Sequence, residues 1–256
     1  MRKRKIIIGN WKMNPESAKL AETLYKNIIK GKFSAQNTDV VICPPYVFLG
    51  RLKKISKKIQ LGVQNISKEE RGPFTGEISA EMAYDVGARY AILGHSERRT
   101  MGETDRDVNK KIKLALSAGL VPILCVGESS REGGHEYFSI IKKQISECMT
   151  GVNKNSVSKT IIAYEPVWAL SSTANRHDFA PPEFLEIKIF IKKVLSDMFG
   201  AKTELPRIIY GGSVRPDNAL EFLRDGQADG LLPGKDSLDP KKFLEIIKIA
   251  NSLEKH

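Results

Sequence analysis

Tyr90–Val126, YAILGHSERRTMGETDRDVNKKIKLALSAGLVPILCV, holds two short apolar runs around a longer mixed stretch. The runs Tyr90–Leu93 (YAIL) and Val121–Val126 (VPILCV) are continuously apolar rather than alternating. That pattern suits strands of a parallel sheet covered on both faces. Between them the sequence predicts a helix over about Thr104–Ser117. The same alternation extends in both directions.

Upstream, strands are expected at Lys5–Gly9 (KIIIG), Asp39–Cys43 (DVVIC) and Gln60–Gln64 (QLGVQ). Helices follow them at Glu16–Ile29, with Leu20, Leu24 and Ile28 as its apolar face, at Val47–Ile55 and at Ile78–Val86. Downstream, a helix over Glu136–Cys148 leads to strands at Lys159–Ala163 (KTIIA), Arg207–Tyr210 (RIIY) and Gly230–Leu232. Their helices are expected to start near Pro182, Pro216 and Pro240, where proline suits a first turn. Eight strand–helix units in 256 residues is the arithmetic of a closed (β/α)8 barrel, an α/β fold in which residues 1–256 form one domain. No G-x-G-x-x-G follows the first run, which counts against a doubly wound open sheet.

Composition narrows the function classes. Hydrophobic residues make up 41% and charged residues 28%, as in a globular protein able to bury a core without staples. The three cysteines, Cys43, Cys125 and Cys148, cannot pair completely and imply reduced thiols in a cytoplasmic protein. No C-x-x-C occurs and the four histidines form no metal motif. The basic start is followed by only three apolar residues, against the roughly 7–15 of a signal peptide, and no run approaches the ~18 of a membrane span. A formal charge of +11 invites a nucleic-acid reading, but Lys and Arg are interleaved with acids along the whole chain. A small anionic substrate is the sharper use of that charge.

Barrel active sites use the C-terminal ends of strands. Behind the predicted strands stand Asn10-Trp11-Lys12, Gly94-His95-Ser96-Glu97, Tyr164-Glu165-Pro166, Gly211-Gly212-Ser213 and Pro233-Gly234-Lys235. A carboxylate such as Glu165 can take a proton from carbon beside a carbonyl. A neutral imidazole such as His95 can donate to that carbonyl, and an ammonium such as Lys12 can stabilise enediolate charge. The Gly-rich turns present backbone N–H groups to a phosphate. Each residue alone admits a structural role; their joint placement at strand ends points to proton transfer on a small phosphorylated carbonyl compound.

Asn10-Trp11-Lys12-Met13-Asn14, Gly94-His95-Ser96-Glu97-Arg98-Arg99, Ala163-Tyr164-Glu165-Pro166-Val167-Trp168-Ala169 and Tyr210-Gly211-Gly212-Ser213-Val214 resemble the four signature segments of the triosephosphate isomerase family. Gln64-Asn65, Phe74-Thr75-Gly76-Glu77 and Leu124-Cys125-Val126-Gly127-Glu128 match as well, so the resemblance runs from about Lys5 to Leu253. It implies a TIM-type barrel that interconverts dihydroxyacetone phosphate and D-glyceraldehyde 3-phosphate through an enediolate, in glycolysis and gluconeogenesis. No cofactor or metal is implied, nor any nucleic-acid or membrane partner.

By the same resemblance Glu165 is the base, His95 the electrophile and Lys12 the cation for the anionic substrate. Asn10 helps orient that substrate, Glu97 supports the site near Lys12, and Cys125 is a packed structural thiol. Ser171, Ser213, Gly234 and Lys235 supply the phosphate grip. The family's homodimer implies that the loop Gly72–Gly76 enters a partner, with Thr75 at its tip.

Two departures fall in that grip. Leu170–His177 reads LSSTANRH where the family carries a Gly-Thr-Gly-Lys lid tip, and Gly234-Lys235 stands where it has Gly-Gly. The side chain of Lys235 either adds attraction for the phosphate or pairs with Asp236. A weakened catalyst on the same fold, one for another phosphorylated ketose, and a nucleic-acid-binding role remain the alternatives at this level.

Overall fold

The computed structural model describes residues 4–31, 33, 38–131, 135–170 and 179–253. Eight strands close into a parallel barrel in chain order. They are β1 (Lys5–Asn10), β2 (Thr38–Cys43), β3 (Gln60–Val63), β4 (Tyr90–Leu93), β5 (Val121–Val126), β6 (Ile161–Tyr164), β7 (Arg207–Tyr210) and β8 (Gly230–Leu231). The seam is made by β1 and β8, in register as Ile6↔Gly230 and Ile7↔Leu231.

The continuous apolar runs now have a cause. Successive side chains of a strand point to opposite faces. Ile6 and Ile8 of β1 pack into the barrel interior with Val41, Cys43, Ile92, Ile123 and Ile209. Ile7 points outward and packs with Ile42, Leu93, Leu124 and Ile208 in the layer beneath the helices. Both faces are dry, so every position of β1 is buried.

That outer layer is covered by α1 (Ala18–Ile29), α2 (Tyr46–Ile55), α3 (Ala80–Val86), α4 (Ser96–Thr100), α5 (Asp105–Ser117), α6 (Glu136–Met149), α7 (Pro181–Phe199), α8 (Pro216–Arg224) and α9 (Pro240–Ser252). Proline opens α7, α8 and α9, although α7 starts one residue before Pro182. In α1 the expected face is half right: Leu24 and Ile28 are buried with Ala21 and Tyr25, while Leu20 is 50% exposed. A spacing of four overshoots a 3.6-residue turn, so Leu20 drifts off the stripe that its later partners occupy. Sequence also placed the sixth strand too early. Lys154–Lys159 forms a 3₁₀ turn, and β6 runs to Tyr164, the residue before Glu165.

At the start of α5 the Thr104 side chain accepts the Asp107 backbone N–H, while Asp107 accepts from the Thr104 N–H at 3.1 Å and its hydroxyl at 2.7 Å. Lys68 adds an ion pair at 2.7 Å. Hydrogen bonding from Lys68, then from Thr104, holds the Asp107 carboxyl well below the usual carboxylate range. Because the folded value is depressed, this stabilisation is complete above about pH 4 and is lost as pH falls toward the folded value. Asp107→Asn should therefore flatten stability against pH below about pH 4, as read by urea melts. An unchanged acid slope would show that this carboxyl titrates alike in both states.

The three cysteines are buried free thiols. No described helix is long and apolar enough to cross a membrane.

Candidate active site

Every strand of a parallel barrel delivers its last residue to the same rim, and the residues just past β1, β4, β6, β7 and β8 meet there. Asn10 ends β1, buried, and its Oδ1 accepts the Lys12 backbone N–H at 3.0 Å. That short turn holds Lys12 at φ +51°, a left-handed conformation which lysine adopts at a cost. The Lys12 carbonyl accepts from Gln64 Nε2 at 2.7 Å, tying the loop to the end of β3. The resulting aim sends Lys12 Nζ to Glu97 Oε1 at 2.5 Å.

His95 follows β4 and caps α4, its Nδ1 accepting the Glu97 backbone N–H at 3.2 Å. A ring nitrogen that accepts cannot carry a proton, so the proton sits on Nε2 and the ring is a neutral donor. His95 Nε2 faces Glu165 Oε1 at 3.6 Å. Lys12, Glu97, His95 and Glu165 thus form one chain of neighbours across three strand ends. Both His95 and Glu165 are buried, the latter only 1% exposed.

Glu165 is gripped from two sides. A Cβ on Gly127 would lie 1.9 Å from the Glu165 carbonyl oxygen, and one on Gly211 would lie 2.9 Å from Glu165 Cγ. Only hydrogen fits at either place. The Glu165 N–H donates to Val126 at 2.8 Å, and the Cys125 thiol lies 3.3 Å from Oε1. Burial, then the neighbouring carboxylate, pushes the Cys125 thiol well above its ordinary value, so it stays protonated and donates. Glu165 Oε2 has no partner among the described residues. A cavity of ≈ 310 Å³ opens beside this carboxylate between Gly94, Ser96, Cys125 and Val167.

The candidate phosphate residues are less uniformly placed. Ser213 Oγ donates to the Ala169 carbonyl at 2.8 Å, joining the end of β7 to the segment after Glu165. Gly234 lies over Lys12: a Cβ there would be 3.5 Å from Lys12 Cε. Lys235 is exposed, opens a 3₁₀ turn and is not among the residues at positive φ, so the missing glycine causes no strain. The expected alternative, a pair with Asp236, is not made; Asp236 Oδ1 accepts from Lys242 at 3.2 Å instead. Ser171 and the rest of Ser171–Asp178 lie outside the described residues. Thr75 is exposed on the loop between β3 and α3, beside a half-exposed Phe74.

One cluster had no assigned role in the sequence. Glu128, fully buried, accepts from Tyr164 at 2.8 Å, Trp168 Nε1 at 2.9 Å and Arg131 Nε at 3.0 Å. It anchors both flanks of Glu165 to the end of β5. Its signals were a lone acid behind an apolar run and its place in the family-like segment Leu124–Glu128, neither of which gave it a role.

Residues 5–250 match the family described as Triosephosphate isomerase. The chain belongs to the triosephosphate isomerase family. A triosephosphate isomerase of Dictyoglomus thermophilum is 42% identical over 252 residues, covering 96% of this chain and 99% of that protein. One from Rhodopirellula baltica is 41% identical over 259 residues, covering 98% and 100%. Among solved structures, the crystal structure of triosephosphate isomerase from Bartonella henselae superposes with a TM-score of 0.82 at 35% identity, over 96% of this chain and 98% of that one.

Proposed function

We propose that this chain interconverts dihydroxyacetone phosphate and D-glyceraldehyde 3-phosphate, with Glu165, His95 and Lys12 as its catalytic residues. The observation that carries the reading is the Lys12–Glu97–His95–Glu165 array on one rim of the barrel, in a chain of this family. A carboxylate base beside a neutral histidine is the pairing for which triosephosphate isomerase is itself the standard worked case.

Glu165 removes a proton from C1 of the ketose, and negative charge develops on the C2 oxygen. His95 Nε2–H donates to that oxygen and then relays protons between the two oxygens of the enediolate. Glu165 returns its proton at C2 to give the aldehyde. Lys12 attracts the phosphorylated substrate and stabilises the developing charge. His95 Nε2 and Glu165 Oε1 stand 3.6 Å apart on one rim, close enough to act on neighbouring atoms of one small substrate, and catalytic contacts tighten once substrate is bound. Asn10 sets the Lys12 turn, and Glu97 fixes both the lysine ammonium and the histidine tautomer. A coupled assay with glyceraldehyde 3-phosphate tests the reading: turnover is expected without added metal or cofactor, and an inactive folded protein would refute it.

The phosphate is assigned to Ser171, Ser213, Gly234 and Lys235, mostly through backbone N–H groups. Lys235 keeps negative φ and faces solvent, so Lys235→Gly should leave the fold intact and change KM only modestly, about two- to threefold as for an exposed charge. A fall in kcat by orders of magnitude would instead make its ammonium indispensable.

The reading includes a homodimer of a cytoplasmic glycolytic enzyme, each chain acting as one barrel domain. Among the described residues, Met13, Leu20, Val47, Phe74, Met82, Tyr84, Val86 and Met101 are large apolar residues left exposed in the first half of the chain, against Ile140, Ile189 and Leu220 in the second. This bias of exposed apolar residues toward the first half supports a partner-facing surface there. Thr75 stands beside Phe74 as the tip that would reach the neighbouring subunit. Dilution below the dimer dissociation constant is expected to lower specific activity; a fully active monomer in sedimentation would contradict it.

A further inference from the structure

The end of the barrel where the strands begin carries a second cavity, of ≈ 810 Å³. It is framed by the starts of β1 and β7, the turn from α8 into β8, and residues of α7. Five of its described lining residues are cations: Lys5, Lys188, Lys192, Arg207 and Arg224. Asp229 is the one carboxylate among its described lining residues. Leu205, Leu223 and Leu253 give it apolar walls.

Two of the cations are buried within the protein, Lys5 at 6% exposed and Lys188 at 5%. Lys188 Nζ donates to the Gln227 carbonyl and to Asp229 Oδ1 at 2.8 Å, which uses two of its three protons. Lys5 Nζ donates to the Ala228 carbonyl at 2.5 Å and the Leu223 carbonyl at 3.4 Å. Two of the carboxylates described at this end are already shared. Asp229 also accepts the Ile208 N–H, and Asp39 is shared between Arg4 and Arg207. Among the described residues Arg224 pairs with its exposed neighbour Asp225, a weak solvated contact that is readily exchanged. Lys192 stands one turn after Lys188 on α7, exposed. Burial, together with the Lys192 charge, lowers the Lys188 pKa.

Among the described lining residues, five cations therefore stand with one carboxylate around a concave, partly apolar site. Such a surface focuses positive potential inward. Guanidinium forks and an ammonium along a rim, above buried ammoniums, match the oxygens of more than one phosphoryl group. The cavity is also far larger than a single phosphate requires.

We propose that this cavity, on the face opposite the active site, binds a small anion bearing two or more phosphoryl groups. It is distinct from the triose phosphate site, and occupation would clamp the starts of β1, β7 and β8 together. Binding to the folded state alone would raise the melting temperature with ligand concentration.

The test is isothermal titration of inorganic tripolyphosphate into three full-length proteins, in about 0.15 M NaCl to screen diffuse attraction. These are the wild type, the rim variant Lys192→Gln/Arg224→Gln and the active-site variant Lys12→Gly. Both rim residues are exposed and lie outside the catalytic array, so the rim variant should fold and keep its kcat/KM for glyceraldehyde 3-phosphate. One saturable site is expected in the wild type and in Lys12→Gly, and at least about tenfold weaker binding in the rim variant, since two charge-assisted contacts are removed. Binding that is lost in Lys12→Gly and unchanged in the rim variant would overturn the proposal, because the anion would then occupy the active site. Heats that never saturate in any of the three proteins would overturn it as well.

Discussion

Glu165→Asp should lower kcat by about two to three orders of magnitude, because a displacement near 1 Å of a reacting group costs on the order of 10²-fold or more. The substitution withdraws the carboxylate by one methylene while its backbone stays fixed by the bond to Val126 and by the close approach of Gly127. Nothing in the surroundings can push the shorter side chain forward. KM should change little, since Glu165 contributes proton transfer rather than substrate affinity. Stability should also change little. The lost methylene costs about 1 kcal/mol, and Oε2 has no partner among the described residues to forfeit. Coupled kinetics alongside a thermal melt provide the check. Equal activity in the two proteins would remove Glu165 from the role of base.

Lys12→Gly separates activity from stability in a different way. Lys12 sits at φ +51°, where a side chain costs about 1–2 kcal/mol and glycine nothing. Glycine returns roughly 0.5–1 kcal/mol of that as extra entropy of the unfolded chain. The lost ion pair with Glu97 joins two partly exposed groups and is worth about 0–1 kcal/mol. These terms nearly cancel, so the melting temperature should stay close to the wild-type value. Activity should not: removing a cation aimed at developing charge costs at least about 10²–10³-fold in kcat/KM. The strained backbone is then explained as the conformation that aims the ammonium. A large drop in stability would show that the strain is repaid by contacts not identified around this turn, and retained activity would move the substrate cation elsewhere.

The barrel was legible because its strands are dry on both faces. A run such as KIIIG carries no alternation, and eight such runs separated by helix-length stretches leave few other folds. The errors have local causes. The helix α4 went unseen because SERRT is one turn long and its cap is a histidine rather than the usual Ser, Thr, Asp or Asn. The 3₁₀ turn before β6 borrowed the lysine and threonine that sequence assigned to the strand.

Within the candidate site, His95, Glu165 and Lys12 stood out as lone polar groups behind apolar runs. Glu97 was marked only by family likeness, since nothing in SERR says which acid will meet a lysine 85 residues away. Glu128 escaped for a related reason. Its partners Tyr164 and Trp168 lie 36 and 40 residues further on, and only barrel closure brings them to one carboxylate. Sequence also could not reveal that Cys125 turns its thiol toward the base, because an inward-facing strand residue and a site residue look alike in an apolar run.

The two glycines pressed against Glu165 bear on how this barrel could be redesigned. At positions 127 and 211 any added carbon meets the base itself, so a mutational library there would return glycine or a misaligned catalyst. Room to reshape the cavity lies with Ser96 and Val167, which border it while leaving that grip alone. The placement of the base is therefore written into the close approach of the chain behind β5 and β7 to the end of β6, and changes that respect these two glycines leave it in place.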